Sequence, residues 1–207
     1  MTSDLKSHQD RAFALLKQQG MVRLSEFTKA GVTAATVSRM AQKGVVVQLG
    51  RGLYQLPDAA HDSNHALAQA AKLVPNGIIC LVSALAFHEL TDTIPPRIWM
   101  ALGPKDRKPR TTEPPLQFVR FGDKVRSDGV GEHMIEGVAV RIYGPAKTVV
   151  DLFRYRRKSP GLKLALEGMS EALRQRKATP SEIADYAHRA GVWTALQPYL
   201  EAMTAND

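Results

Sequence analysis

Apolar residues recur at helical spacing through the first 44 positions and then change period. Ala12, Leu15 and Leu16 lie on neighbouring turns, so the pattern predicts a first helix over residues 4–19 that Gly20 closes. Met21 and Val22 read as a short link. Leu24 and Phe27, three apart, predict a brief second helix over 24–30, and Gly31 turns the chain into a third. That third helix is marked at both ends. Thr33 can accept a first-turn backbone N–H as N-cap, and Gly44 suits the left-handed residue just past the C-terminus. Val32 and Val37 hold the two places of a hydrophobic staple, and Val37, Met40 and Ala41 share one face. The opposite face, Ala35, Ser38, Arg39 and Gln42, has no large apolar group and is made to touch something polar. Beyond Gly44, Val45 to Leu49 and Leu53 to Leu56 are β-rich runs flanking Gly50-Arg51-Gly52, a tight turn whose glycines tolerate positive φ and whose tip is an arginine.

Three helices and a hairpin within residues 1–57 predict a winged helix-turn-helix domain. The same periodicities also fit a small three-helix bundle carrying an extra hairpin. Against the bundle stands a conjunction: glycine at the turn, a capped third helix with a polar outer face, and Gly-Arg-Gly at the hairpin tip. A B-DNA major groove accepts one α-helix, whose early residues reach base edges while neighbouring groups hold phosphates. On that geometry Thr36, Arg39 and Gln42 are candidates for base contacts, and Thr33, Ser38 and Lys43 for the backbone. Arg51, at the end of a narrow ribbon, suits an adjacent minor groove, where the negative potential is deepest.

Residues 58–65 are polar and read as a linker into a second domain, 66–207. Ala66 to Val74 has helical spacing, and Pro75-Asn76-Gly77 turns the chain into an apolar run around Cys80. A short helix comes next, with Ser83 as a candidate cap. Ile98–Leu102, Leu116–Phe121 and Val138–Tyr143 read as strands. Between the first two lies a proline-rich basic loop, residues 103–115, which could touch phosphate or be mobile. Gly144-Pro145-Ala146 opens a helix with proline in its first turn, and Arg154, Arg156, Arg157 and Lys158 end it with cations suited to the helix C-terminus. Further helices are predicted over 162–176, from the Thr179-Pro180-Ser181-Glu182 capping box to Ala190, and over 192–203. The predicted class is α+β: an N-terminal winged helix-turn-helix domain plus a C-terminal mixed α/β domain ending in a helical tail.

Charge sharpens this picture. The net charge of +8 is uneven: residues 1–57 carry eight basic against three acidic side chains, and residues 96–127 again eight against three. Residues 58–95 carry one against four. A basic segment attracts nucleic acid but is also an ordinary solvated surface, so its weight comes from the fold beside it. The N-terminus has Asp4 and Asp10 and no apolar stretch of the kind that directs secretion, and no apolar run reaches bilayer-spanning length, which places the expected protein in the cytoplasm. Cys80 reads as a buried thiol, and the six histidines show no ligand spacing near it. His88-Glu89 lacks the second histidine of a zinc helix motif. The acidic residues between Asp92 and Glu136 are scattered among turns rather than clustered for metal-dependent phosphoryl chemistry. The expectation is therefore a binding protein, not an enzyme, with no metal and no cofactor.

Certain phrases also resemble a known family. Val45-Val-Val-Gln-Leu-Gly-Arg-Gly-Leu-Tyr-Gln-Leu56, Ser83-Ala-Leu85 with Leu90 and Ile94-Pro95, Gly144-Pro-Ala-Lys-Thr-Val-Val-Asp-Leu-Phe153 and Tyr199-Leu200-Glu201 resemble, in that order, the AbiEi antitoxins of bacterial type IV toxin–antitoxin systems. The resemblance implies a cytoplasmic protein whose N-terminal domain represses its own operon at inverted repeats in double-stranded DNA, with a possible cooperative dimer on the DNA. It further implies that the C-terminal domain counters a cognate nucleotidyltransferase toxin without a stable complex. A different reading of the same elements is a winged-helix regulator whose second domain senses a ligand or assembles the protein, with no toxin partner.

Overall fold

The structure, a computed structural model, describes residues 7–59, 62–109, 113–155, 157 and 160–205. Residues 4–6 of the expected first helix, the middle of the basic loop at 110–112, and Arg156 and Lys158 lie outside the described residues. The chain forms two compact units. The first comprises residues 1–76 with 109–116 and 133–140, and the second comprises 77–108, 117–132 and 141–207.

In the first unit the elements are α1 (His8–Gln19), β1 (Met21–Arg23), α2 (Leu24–Lys29), α3 (Ala34–Gln42), β2 (Val47–Gly50), β3 (Leu53–Gln55) and α4 (His65–Leu73). Ser7 opens α1 by accepting from the Asp10 N–H. The stretch expected as a link is a strand: Met21, Val22 and Arg23 pair antiparallel with Gln55, Tyr54 and Leu53, giving a sheet of order β1-β3-β2. This pairing covers the far edge of the hairpin and buries Met21 and Val22 completely. The core joins Ala12 and Leu16 of α1 to Phe27, Val32, Val37, Met40, Val46 and Tyr54.

The expected boundary at residues 58–65 does not coincide with the division into units, because α4 belongs to the first. Gln69 Nε2 donates to the Leu49 carbonyl at 3.0 Å, and Lys72 Nζ reaches Glu26 at 2.9 Å and Gln19 at 3.1 Å. Leu67, Ala68 and Ala70 are buried and α4 packs against β1, so the helix goes with the first unit however polar the segment before it. Residues 133–140 contribute the turn at Glu136-Gly137. The Glu136 carboxylate accepts from the Asp62 N–H at 2.6 Å and meets His65 Nδ1 at 2.8 Å. Its carbonyl oxygen lies against Gly20, where a Cβ would stand 1.9 Å from it.

The second unit is built from β4 (Ile78–Ile79), α5 (Leu81–Phe87), β5 (Ile98–Leu102), β6 (Leu116–Arg120), α6 (Asp123–Ser127), β7 (Val130–Ile135), β8 (Val138–Tyr143), α7 (Pro145–Arg154), α8 (Leu162–Arg174), α9 (Pro180–Ala190) and α10 (Trp193–Thr204). Leu116 and the facing ends of β7 and β8 are counted with the first unit. The sheet has the order β6-β5-β4-β8-β7, with β4 antiparallel to β5 and parallel to β8. Helix α7 packs against α5, α8 and α9, and every residue from Ala146 to Phe153 is buried, Lys147 and Asp151 included. Lys147 Nζ sits 2.7 Å from both Asp151 carboxylate oxygens and over the rings of Tyr143 and Phe121. Burial pushes the Asp151 carboxyl above the ordinary aspartate range, and the adjacent ammonium opposes that rise. Ser83 is not a cap, since α5 begins two residues earlier; its hydroxyl instead accepts from the Trp99 N–H at 2.9 Å. Cys80 is buried, and burial drives its thiol pKa well up. The architecture is α+β.

Candidate nucleic-acid interface

Helix α3 is set by its two ends and its inner face. Thr33 Oγ1 accepts from the Thr36 N–H at 3.2 Å, and Gly44 takes φ +68 beyond the C-terminus. Val37 and Met40 are buried against the unit's core, and the Val45 N–H returns to the Met40 carbonyl at 2.9 Å. With the inner face committed, Ala35, Ser38, Arg39 and Gln42 stand on the outer one, and Thr33 and Lys43 are exposed at its two ends.

Thr36 departs from the expectation. It is buried, and its hydroxyl lies 2.9 Å from the Thr33 hydroxyl and 3.5 Å from Arg39 Nη2. Burial and these contacts turn its hydroxyl to the helix cap and to Arg39 rather than outward, against a direct base contact. Arg39 folds back on its own helix, its Nε 3.4 Å from the Ala35 carbonyl. Both Arg39 contacts are at the long limit for hydrogen bonds, so little opposes its extension toward a ligand.

The hairpin is short. Strands β2 and β3 pair from Val47↔Gln55 to Gly50↔Leu53, with an irregularity between Gln48 and Gly50. Only Gly52 of the two turn glycines has positive φ, at +70; Gly50 closes the irregular end of β2, where its carbonyl accepts from Gln48 Nε2 at 3.0 Å. The Gly52 carbonyl accepts from the Leu24 N–H at 2.7 Å, which ties the turn to the start of α2. Arg51 therefore does not sit on a long projecting ribbon. It lines a cleft of about 490 Å³ with Arg23, Ser25 and Thr28. The sequence reading missed Arg23, Ser25 and Thr28 as members of this surface, because placing them beside Arg51 requires knowing that Met21–Arg23 is a strand.

The two acidic residues described between positions 7 and 57 are engaged elsewhere. Asp10 accepts from Ser7 at the start of α1, and Glu26 is bound to Lys72 and to the Arg23 N–H. Among the described residues no carboxylate pairs with the side chain of Arg23, Arg39, Lys43 or Arg51. Cations on a helix face and in a cleft make a surface that attracts anions, nucleic-acid phosphates among them.

No cluster of three or more His, Cys, Asp and Glu that could hold a metal ion occurs among the described residues. His88 Nε2 is instead directed to the Tyr143 carbonyl at 2.8 Å. No helix of the described residues is long and apolar enough to cross a membrane.

Comparison with known proteins gives three findings. No curated protein sequence matches the chain. A crystal structure of the RV2827C protein from Mycobacterium tuberculosis has a similar fold, with a TM-score of 0.60 at 15% identity, covering 98% of this chain and 79% of that one. Residues 10–57 match the family model described as transcriptional regulator, AbiEi antitoxin, and they contain α2, α3, both hairpin strands and nearly all of α1. Over these residues the chain is similar to the transcriptional regulators of the AbiEi antitoxin family.

Proposed function

We propose that the protein is a cytoplasmic, non-enzymatic antitoxin that binds double-stranded promoter DNA and represses its own operon at inverted repeats. The supporting observation is the outer face of α3, where Ser38, Arg39 and Gln42 are exposed with Lys43 at its end and no large apolar side chain among them, together with the Arg23–Arg51 cleft. In this reading α3 enters the major groove. Arg39 pairs bidentately with guanine and Gln42 with adenine, while Thr33, Ser38 and Lys43 hold phosphates. Arg51 and Arg23 grip the backbone beside that groove. Thr36 acts through Arg39 rather than on a base. The second unit counters a cognate nucleotidyltransferase toxin, a role that rests on the family resemblance alone, the family model itself matching only residues 10–57.

The test combines footprinting on the protein's own promoter with growth on co-expression of a neighbouring toxin gene. Arg39→Ala is expected to cost about 1–3 kcal/mol at one base-pair position and to relax specificity there. Arg51→Ala is expected to weaken every site alike and to lower the salt slope by about one unit. Both variants should still restore growth. If the two share one salt slope and one loss across all operator variants, the division between base reader and phosphate contact is wrong.

A further inference from the structure

Residues 88–97, in the second unit, make a rigid loop that presents an apolar side chain to solvent. Thr91 Oγ1 donates to Glu167 on α8 at 2.6 Å and accepts from the Thr93 N–H at 3.1 Å. Gln175 Nε2 donates to the Glu89 carbonyl at 2.9 Å, and Lys177 Nζ to the His88 carbonyl at 2.7 Å. Pro95 and Pro96 stiffen the end of the loop, since each ring fixes its own φ. On this fixed support Ile94 is 90% exposed, more than any other large hydrophobic residue described.

Beside Ile94 lies a hole. A cleft of about 270 Å³ is walled by Val82, Pro95, Pro96, Trp99, Pro160 and Leu164, with Arg97 on its lining. Thr93 and Pro95, the two neighbours of Ile94, both line it, so the exposed side chain and the apolar cleft share one rim. The charges flanking the side chain are opposite. Asp92 precedes it and Arg97 comes after it, both exposed.

We propose that this patch is the contact through which a second copy of the chain is bound, two loops approaching antiparallel about a twofold axis. Ile94 of each copy enters the cleft of the other, and Asp92 of each faces Arg97 of the other. A twofold contact requires a surface complementary to itself, and a knob, a hole and opposite charges on one short loop satisfy that requirement. The fixed loop lowers the ordering cost of association. A patch this small gives weak self-association, favoured where two copies are held close on one DNA.

Sedimentation velocity of the full chain, without DNA, tests the contact independently of the proposed function. The expected result is a concentration-dependent dimer that Ile94→Asp abolishes. Asp92→Arg and Arg97→Asp should each weaken it by at least about tenfold, and the double swap should restore it. Since all three side chains are exposed, an unchanged thermal unfolding curve will show that the variants fold. A wild-type chain that stays monomeric up to about 1 mM, a dimer indifferent to Ile94→Asp, or a double swap no better than the single ones overturns the proposal. So does hydrogen exchange in which residues 92–97 become protected only when the toxin is added, which would give the patch to a different protein.

Discussion

Three glycines that follow helix C-termini differ in what surrounds them. Gly20, Gly44 and Gly191 have φ of +64, +68 and +67. Nothing lies within 4 Å of a Cβ placed at 44 or 191, whereas at 20 the Glu136 carbonyl oxygen is 1.9 Å away. Alanine at 44 or 191 therefore meets only left-handed strain, about 1–2 kcal/mol. Gly20→Ala must also displace a backbone oxygen, and its expected cost is about 3 kcal/mol or more. Urea denaturation of the three variants measures this, and equal costs would rule out the close approach. The sequence marks Gly20 and Gly44 as helix ends, but it holds no local sign of a partner for Gly20 more than a hundred residues away. Thr36 is a different case. Thr36 and Met40 are four apart and share a helix face, so its burial was legible, although its place early in the helix made it a candidate base contact.

Elements with chemical punctuation are the ones the sequence announces. The box opening α9 is closed as its residues predict: the Thr179 N–H donates to Glu182 at 2.8 Å, and the Glu182 N–H donates to Thr179 Oγ1 at 3.2 Å. The Thr179 backbone N–H, and then its hydroxyl, hold the Glu182 carboxyl below the ordinary glutamate range. A carboxylate whose folded pKa is lowered contributes its stability fully above the unfolded pKa and loses it as pH falls through the folded one. Glu182→Gln should therefore destabilise the protein at neutral pH, with a difference from wild type that vanishes in acid; thermal unfolding across pH checks the sign. Thr179→Ala should cost about 1 kcal/mol. Strands without such punctuation stayed hidden. β4 is two residues long, β1 is three, and β7 is an edge strand whose Glu132 and Met134 face solvent, so none shows a clean apolar alternation.

The division of the whole molecule was only half legible. The sequence places a polar stretch at 58–65 and separates two cores, but composition cannot show that the next helix turns back onto the first. Residues 1–57 lack α4, and with it the Lys72–Glu26 pair, the Gln69 bond to Leu49 and the buried Leu67. Burying one leucine is worth about 1.5–3 kcal/mol, and a domain near 60 residues is marginal. A 1–57 fragment is accordingly expected to unfold at a lower temperature than a 1–76 fragment and to bind promoter DNA only when cooled. Calorimetry of both decides it, and equal midpoints would return α4 to the second unit.

The same arrangement sets an order of events on the ribosome. The first unit draws its last pieces from residues 133–140, so its turn against Gly20 cannot form until Val140 has been made. At about 5–20 residues per second, the 64 residues from Asn76 to Val140 delay it by about 3–13 s. For that interval the first unit of a nascent chain lacks the turn that lies against Gly20, so only the finished polypeptide carries the complete unit.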